Sequence, residues 1–206
     1  NEGGIEGTTR FLKNITGMWL LEQCRKEWEK AGRKYTYPEI VEMAEQAVPF
    51  VRFVDPDDPR FANPSCMTKA IAGYCEETGQ PVPVTDADFV RCIFESLALR
   101  YNEVIRMLEG MAPFPIERLH VIGGGSKNNL LNQFTANAIG MPVIAGPSEA
   151  TAIGNAMVQA RSAGIVSTRW EMRRLIAESI GTETFLPQDE KNWKDVYGRY
   201  KKIVKR

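Results

Sequence analysis

The chain has 206 residues, 43% of them hydrophobic and 25% charged, enough apolar side chain for one globular domain or two small ones. That balance excludes a disordered, collagenous or coiled-coil chain. Lys plus Arg number 26 and Asp plus Glu number 26, so no net field holds a nucleic acid or an anionic membrane, and neither is expected as a partner.

No apolar run approaches the roughly 20 residues of a membrane helix, and the first thirty residues lack a signal-peptide pattern; a cytoplasmic location is expected. The opening NEGGIEGTTRF reads as mid-protein loop and strand, as in a piece of a longer polypeptide. Cys24, Cys66, Cys75 and Cys92 form no CxxC pair and there is one histidine, so reduced thiols and no metal site are expected.

Helix ends mark the chain more clearly than helix middles. Asn14 is placed to cap a helix running to about Lys30, with Gly32 as its left-handed stop. Thr36 with Glu39 has the spacing of a capping box before Ile40, Met43, Ala44 and Ala47, and Pro49 closes that helix. Residues 53–64, with prolines at 56, 59 and 64, read as an irregular connection, and Asn63-Pro64 starts a third helix stopped by Gly79. Thr85 with Asp88 caps the longest helix, whose apolar stripe Val90, Phe94, Leu97, Tyr101, Ile105 and Leu108 predicts a central packing element.

Leu119, Val121 and Ile122 form a short run that ends in three glycines, the pattern of a buried strand entering a loop. Ser126 then caps a helix carrying Leu130, Leu131, Phe134 and Ala138, stopped by Gly140. MPVIAGP supplies a second strand, Ser148 caps a helix reaching Gly164, and Thr168 with Glu171 caps another that stops at Gly181. A final helix from about Glu190 carries Trp193, Val196, Tyr197, Tyr200 and Ile203. The strand-helix-strand order predicts parallel pairing, and residues 117–164 a βαβα unit of an α/β domain. No linker long enough to separate two domains is visible.

Three glycines between a strand and a helix leave several N–H groups unshielded and able to face one point, and the helix adds its positive end. Such a loop suits a nucleotide. No GK[ST] follows, so it is not a P-loop. With Gly123 and Gly125 as the first glycines of a dinucleotide fingerprint the sixth position is Asn128, and no acidic residue ends the next strand. Ser126 and Asn128 could read a purine edge or a ribose; Lys127 and Asn129 read as a solvated first turn, and His120 as a packed or edge side chain. Ala150, Gly154 and Ala156 form a small-residue face suited to close approach of a backbone or a bound ring. Asn14 and Glu22, by themselves, read as the cap and one face of an amphipathic helix.

Taken together, VIGGGSKNNLLNQFTANAIGMPVIAGPSEATAIGN, NEGGIEGTTRFLKNITGMWLLEQ and CIFESLALRY, in this order, closely resemble the FGGY carbohydrate kinases, in register from Asn1 nearly to the end. The resemblance implies an α/β, actin-like and ribonuclease-H-like ATPase domain, mostly helical around a small sheet. Residues 1–206 would form the C-terminal nucleotide-binding domain of a two-domain sugar kinase, with an N-terminal domain as its partner. It further implies ATP-dependent phosphorylation, with Mg²⁺, of the 1-hydroxyl of L-rhamnulose or of a related ketose such as fuculose or xylulose.

Gly123, Gly124, Gly125, Ser126 and Asn128 then inherit nucleotide contact and Asn14 a sugar contact. Glu22 stands where the family usually carries Gln near the nucleotide, and a carboxylate there still accepts from ribose or adenine. AGPSEATAIGN matches an element behind the nucleotide. No residue of this chain is assigned as catalytic or as a metal ligand, because the resemblance puts the catalytic aspartate and the phosphate loop outside it, and the chain alone is expected to be inactive. Two rivals are a Rossmann cofactor domain, which lacks its acidic ribose anchor here, and an interaction module using KNWKDVYGRYKKIVKR, whose apolar residues instead recur at helical spacing.

Overall fold

The computed structural model describes residues 1–204, which divide into two compact units, Asn1–Leu108 with the segment from Val196 onward, and Glu109–Asp195. The first unit opens with a minimal antiparallel hairpin, β1 (Glu2–Gly3) and β2 (Thr9–Arg10). Helix α1 covers Trp19–Lys30. Its N-cap is Met18, with no side-chain cap; Asn14, expected there, lies exposed in the preceding coil. The first backbone bond of the helix runs from the Glu22 amide to Met18 O. At the other end Gly32 adopts φ +80 and the Arg33 amide reaches back to Trp28 O, closing the helix as a Schellman turn.

The Thr36–Glu39 capping box starts α2 (Tyr37–Gln46) as expected. Helix α3 (Met67–Glu77) begins three residues after Pro64 and is capped by a foreign carboxylate: Glu27 of α1 accepts from the amides of Met67 and Thr68 and from the Thr68 hydroxyl. Gly79, at φ +68, ends the segment. The connection over residues 53–64 is irregular apart from one turn of 3-10 helix, but it is not peripheral, since Phe53, Val54 and Phe61 are fully buried.

Helix α4 (Asp86–Glu109) is the longest, and it is buried on most sides between Phe89 and Ile105, well beyond the single stripe of the sequence pattern. Its buried charges are paired: Arg91 with Glu95, and Arg100, only 1% exposed, with Asp57 and Glu103. A charge taken out of water must find such partners. All four cysteines are free thiols, three of them buried.

The second unit is built on a three-stranded sheet, order β3 (Leu119–Val121), β4 (Val143–Ala145), β5 (Glu183–Phe185). Strands β3 and β4 pair in parallel, Leu119 opposite Val143, as the strand-helix-strand order requires. Strand β5, not foreseen, pairs antiparallel to β4. The strand before the glycines is half-exposed rather than buried, and Ile122 is 59% exposed. Among the described residues β3 pairs on one side only, which leaves it an edge.

Helix α5 (Asn129–Ile139) joins β3 to β4 and stops at Gly140, φ +69. Helix α6 (Ala150–Ser162) has no side-chain cap; Ser148, expected in that role, lies in a turn before it. No α6 residue is buried, and a Cβ placed on Gly154 would meet nothing within 4 Å, so its small-residue face packs on no backbone among the described residues. Helix α7 (Arg169–Ser179) begins at Thr168, whose hydroxyl accepts from the Glu171 amide. Helix α8 (Glu190–Val204) buries Trp193 against Phe134, ring centroids 5.4 Å apart, and carries Tyr200 edge-on to Phe53 at 6.2 Å.

Candidate functional site

Strands β3 and β4 run in the same direction, so the loops that leave their carboxyl ends emerge side by side, the position where α/β sheets take ligands. The loops are tied together by main-chain bonds that extend the ladder: the Gly146 amide donates to Val121 O at 2.8 Å, and the Gly123 amide to Pro147 O at 3.0 Å. Gly146 sits at φ +113 before a cis Pro147. A Cβ there would lie 3.5 Å from Gly181 O, which brings the loop before β5 against the other two.

These three loops enclose an open cleft of about 610 Å³ lined by Ser126, Lys127 and Asn129, by Ala145–Glu149 with Ile153, and by Ile180–Glu183. Lys127 and Asn129, read from the sequence as a solvated turn, therefore face the hollow. Of the residues expected to meet a nucleotide only Ser126 lines the cleft; the three glycines precede it as a shoulder beside the hollow, Gly123 half-buried and Gly124 and Gly125 exposed. Gly123 takes φ +77, a conformation open to glycine at no side-chain cost, and a Cβ on Gly123, Gly124 or Gly125 would meet no atom within 4 Å. Among the described residues the amides of Gly124 and Gly125 have no hydrogen-bond acceptor. They are donors left for a ligand or for water.

Gly124–Lys127 form one turn of 3-10 helix, so α5 begins later than the sequence suggests and is capped by Asn128, whose Oδ1 accepts from the Leu131 amide at 3.0 Å. Ser126 does not cap α5. It is 8% exposed, and its Oγ donates inward to Gly123 O at 2.7 Å. Both residues that seemed placed to read a ligand thus have structural engagements, Ser126 through its hydroxyl and Asn128 through one amide oxygen. One contributor escaped the sequence reading: the buried Asn132 donates from Nδ2 to Ser126 O at 2.9 Å. Its signal was a polar residue at the head of the buried helical row Ala136 and Ile139.

Asn14 and Glu22 belong to the other unit. Asn14 is exposed, two residues before Thr16, whose amide and hydroxyl both donate to Asp57 Oδ1 at 2.9 and 3.0 Å. Glu22 accepts from Arg25 at 3.1 Å and from the Tyr37 hydroxyl at 2.8 Å, while Arg25 lies 4.3 Å over the Tyr37 ring. Donation to Glu22, reinforced by burial, raises the Tyr37 phenol above its ordinary value. Glu22 also lines a smaller hollow of about 230 Å³ with Lys26, Glu29, Lys34 and Tyr35. Among the described residues no group of three or more His, Cys, Asp or Glu side chains could hold a metal ion, and no helix is long and apolar enough to cross a membrane.

Several known proteins are similar to this chain. Over 205 residues the chain is 56% identical to a rhamnulokinase of Bacteroides thetaiotaomicron, covering all of this chain and 41% of that one. It is 40% identical over 189 residues to a rhamnulokinase of Bacillus subtilis, 92% of this chain and 38% of that one. The chain therefore spans about two fifths of the length of these relatives. Among solved structures it resembles a glycerol kinase of Plasmodium falciparum with ADP, TM-score 0.63 at 18% identity, over 93% of this chain and 37% of that one. It also resembles a xylulose kinase of Rhodospirillum rubrum, TM-score 0.59 at 18% identity, over 90% of this chain and 36% of that one. These likenesses show an actin-like ATPase fold, mostly helical with a small sheet. Residues 1–163 match the profile of the C-terminal domain of one family, and with that match the chain belongs to the FGGY family of carbohydrate kinases.

Proposed function

We propose that this chain is the nucleotide-binding C-terminal part of a rhamnulokinase, an enzyme that moves the γ-phosphoryl group of ATP to the 1-hydroxyl of L-rhamnulose. The observation that carries the reading is the exposed glycine shoulder, with two unbonded amides and no Cβ, at the carboxyl ends of two parallel strands and beside an open cleft. The 56% identity to a rhamnulokinase along the whole chain supports the choice of sugar.

Within this proposal Gly123, Gly124 and Gly125 admit the nucleotide at close range, and the Gly124 and Gly125 amides donate to its oxygens. Ser126 keeps the loop in shape, and Asn128 retains its Nδ2 as a donor. Glu22 and Asn14 are assigned to the nucleotide and to the sugar, respectively. When bound, ATP supplies the phosphoryl group. Its Mg²⁺ would be held by the phosphates and by residues of the N-terminal domain, since the described residues of this chain hold no group of three or more His, Cys, Asp or Glu side chains fit for a metal ion. The catalytic base and the phosphate loop are assigned to an N-terminal domain, and the whole enzyme to the cytoplasm.

Titration of the chain with ATP, NAD and S-adenosylmethionine in parallel tests the nucleotide. Binding of ATP alone is expected, and binding of either rival alone overturns the assignment. The sugar is tested in the full-length kinase with L-rhamnulose, L-fuculose and xylulose, where L-rhamnulose should give the highest kcat/KM. Turnover of L-rhamnulose by the 206-residue chain alone would overturn the division of labour.

A further inference from the structure

A loop of three glycines is the segment least able to hold a shape by itself, because fixing each residue costs backbone entropy and glycine loses the most. Here the shape is held from behind. Asn132 lies one turn inside α5, is 2% exposed, and its Nδ2 grips Ser126 O at 2.9 Å. Ser126 in turn places both its amide, at 3.0 Å, and its Oγ, at 2.7 Å, on Gly123 O. Gly123 then donates to Pro147 O at the exit of β4. The chain of bonds therefore runs from a helix core, through the loop, to the neighbouring strand end. It engages the polar groups of residues 123 and 126, while the amides of the exposed Gly124 and Gly125 keep no acceptor among the described residues.

From this we infer that Asn132 is a positioning residue for the nucleotide loop: it touches no ligand itself and sets affinity by keeping the two free glycine amides in a ready geometry. The inference rests on the nucleotide reading of the loop proposed above. Preorganisation of this kind acts on affinity, since an unheld loop must be ordered at the moment of binding. The residue type matters. An amide supplies an N–H to the Ser126 carbonyl, whereas an aspartate of the same shape presents only acceptors, and leucine presents neither.

The test compares the wild-type chain with Asn132→Leu and with Asn132→Asp, which retains the size of the side chain should the first variant fail to fold. Amide hydrogen exchange is read without ligand, and ATP affinity by NMR titration of the Gly124 and Gly125 amides. Removal of this one bond should speed exchange of the Gly123 and Ser126 amides and weaken ATP binding about tenfold, while the amides of Phe134–Ala138 stay protected.

Unchanged ATP affinity in a variant whose loop has loosened overturns the inference, as does a loop that exchanges equally in all three proteins. Loss of protection in α5 of both variants would make Asn132 a residue of the fold alone and also overturn it. Failure of the wild-type glycine amides to shift with ATP is a different result, which overturns the nucleotide reading itself.

Discussion

Asp57 Oδ2 accepts from Arg100 Nε at 2.9 Å across 43 residues of chain, and the same carboxylate binds the amide and hydroxyl of Thr16 through its other oxygen. Arg100 is almost wholly buried in α4 and also pairs with Glu103. Burial pushes the Asp57 carboxyl up, but the Thr16 amide and the Arg100 guanidinium outweigh it and hold the group below its ordinary value. Substitution Asp57→Ala strips one carboxylate from a buried guanidinium and should cost about 3 kcal/mol. Urea unfolding reads the loss, and a cost under about 1 kcal/mol, the range of exposed pairs, would mean the pair acts as a surface contact.

A second buried charge makes stability depend on pH. Glu95 accepts from the Phe50 amide and from Arg91, with Arg52 also acting on it, yet burial dominates and pushes its carboxyl up to about 7 from an ordinary 4.5. The folded state then binds more protons than the unfolded one between those values, so this group's contribution to stability is present at pH 4.5 and is lost as pH rises through 7. Asp88 has the opposite sign: burial opposes ionisation, but the Thr85 amide and Arg52 hold it down to about 2, so its contribution is lost as pH falls from 3.8. Unfolding free energies measured from pH 5 to 8 should fall, and Glu95→Gln should flatten that slope. A slope unchanged by the substitution would assign it to other groups.

The cap of α5 offers a direct contest between two neighbours. Asn128 accepts from the Leu131 amide, and Ser126 does not cap. Asn128→Ala should therefore cost about 1 kcal/mol of stability, the usual worth of an N-cap. Ser126→Ala removes only the hydroxyl bond to Gly123 O and should leave α5 protected in hydrogen exchange. Fraying of α5 in Ser126→Ala would restore the serine as its cap.

What was legible in the sequence was mostly punctuation. Gly32, Gly79, Gly140 and Gly164 all stop helices at positive φ, and Thr36, Thr85 and Thr168 all cap with a carboxylate residue three positions on. These signals are local, needing only a few residues of context. The Ser126 cap failed because the glycines continue into a 3-10 turn that carries the cap two residues further, a choice made by the ties of Gly123 and Ser126 rather than by side-chain type. Strand β5 is three residues long, too short for periodicity, and is defined by its ladder with β4. The glycine loop itself was legible. What holds it, Asn132 and the exit of β4, depends on contacts that no spacing rule connects.

The glycine shoulder allows the fold and the ligand to be separated in one experiment. Gly124 lies outside the left-handed region, and a Cβ there would meet no protein atom within 4 Å. Gly124→Ala should therefore change stability by no more than about 0.5 kcal/mol, as at other unencumbered surface positions. On the proposed nucleotide reading, the added methyl would nonetheless crowd a loop whose lack of side chains admits the ligand at close range. ATP affinity should fall at least tenfold, a loss of about 1.4 kcal/mol, with thermal unfolding unmoved. Gly123→Ala is the contrasting case, since its φ of +77 should cost about 1 kcal/mol in the fold itself. Parallel calorimetry and thermal melts distinguish the two, and a Gly124→Ala chain that binds ATP as well as the wild type would show that the nucleotide does not approach the loop from this side.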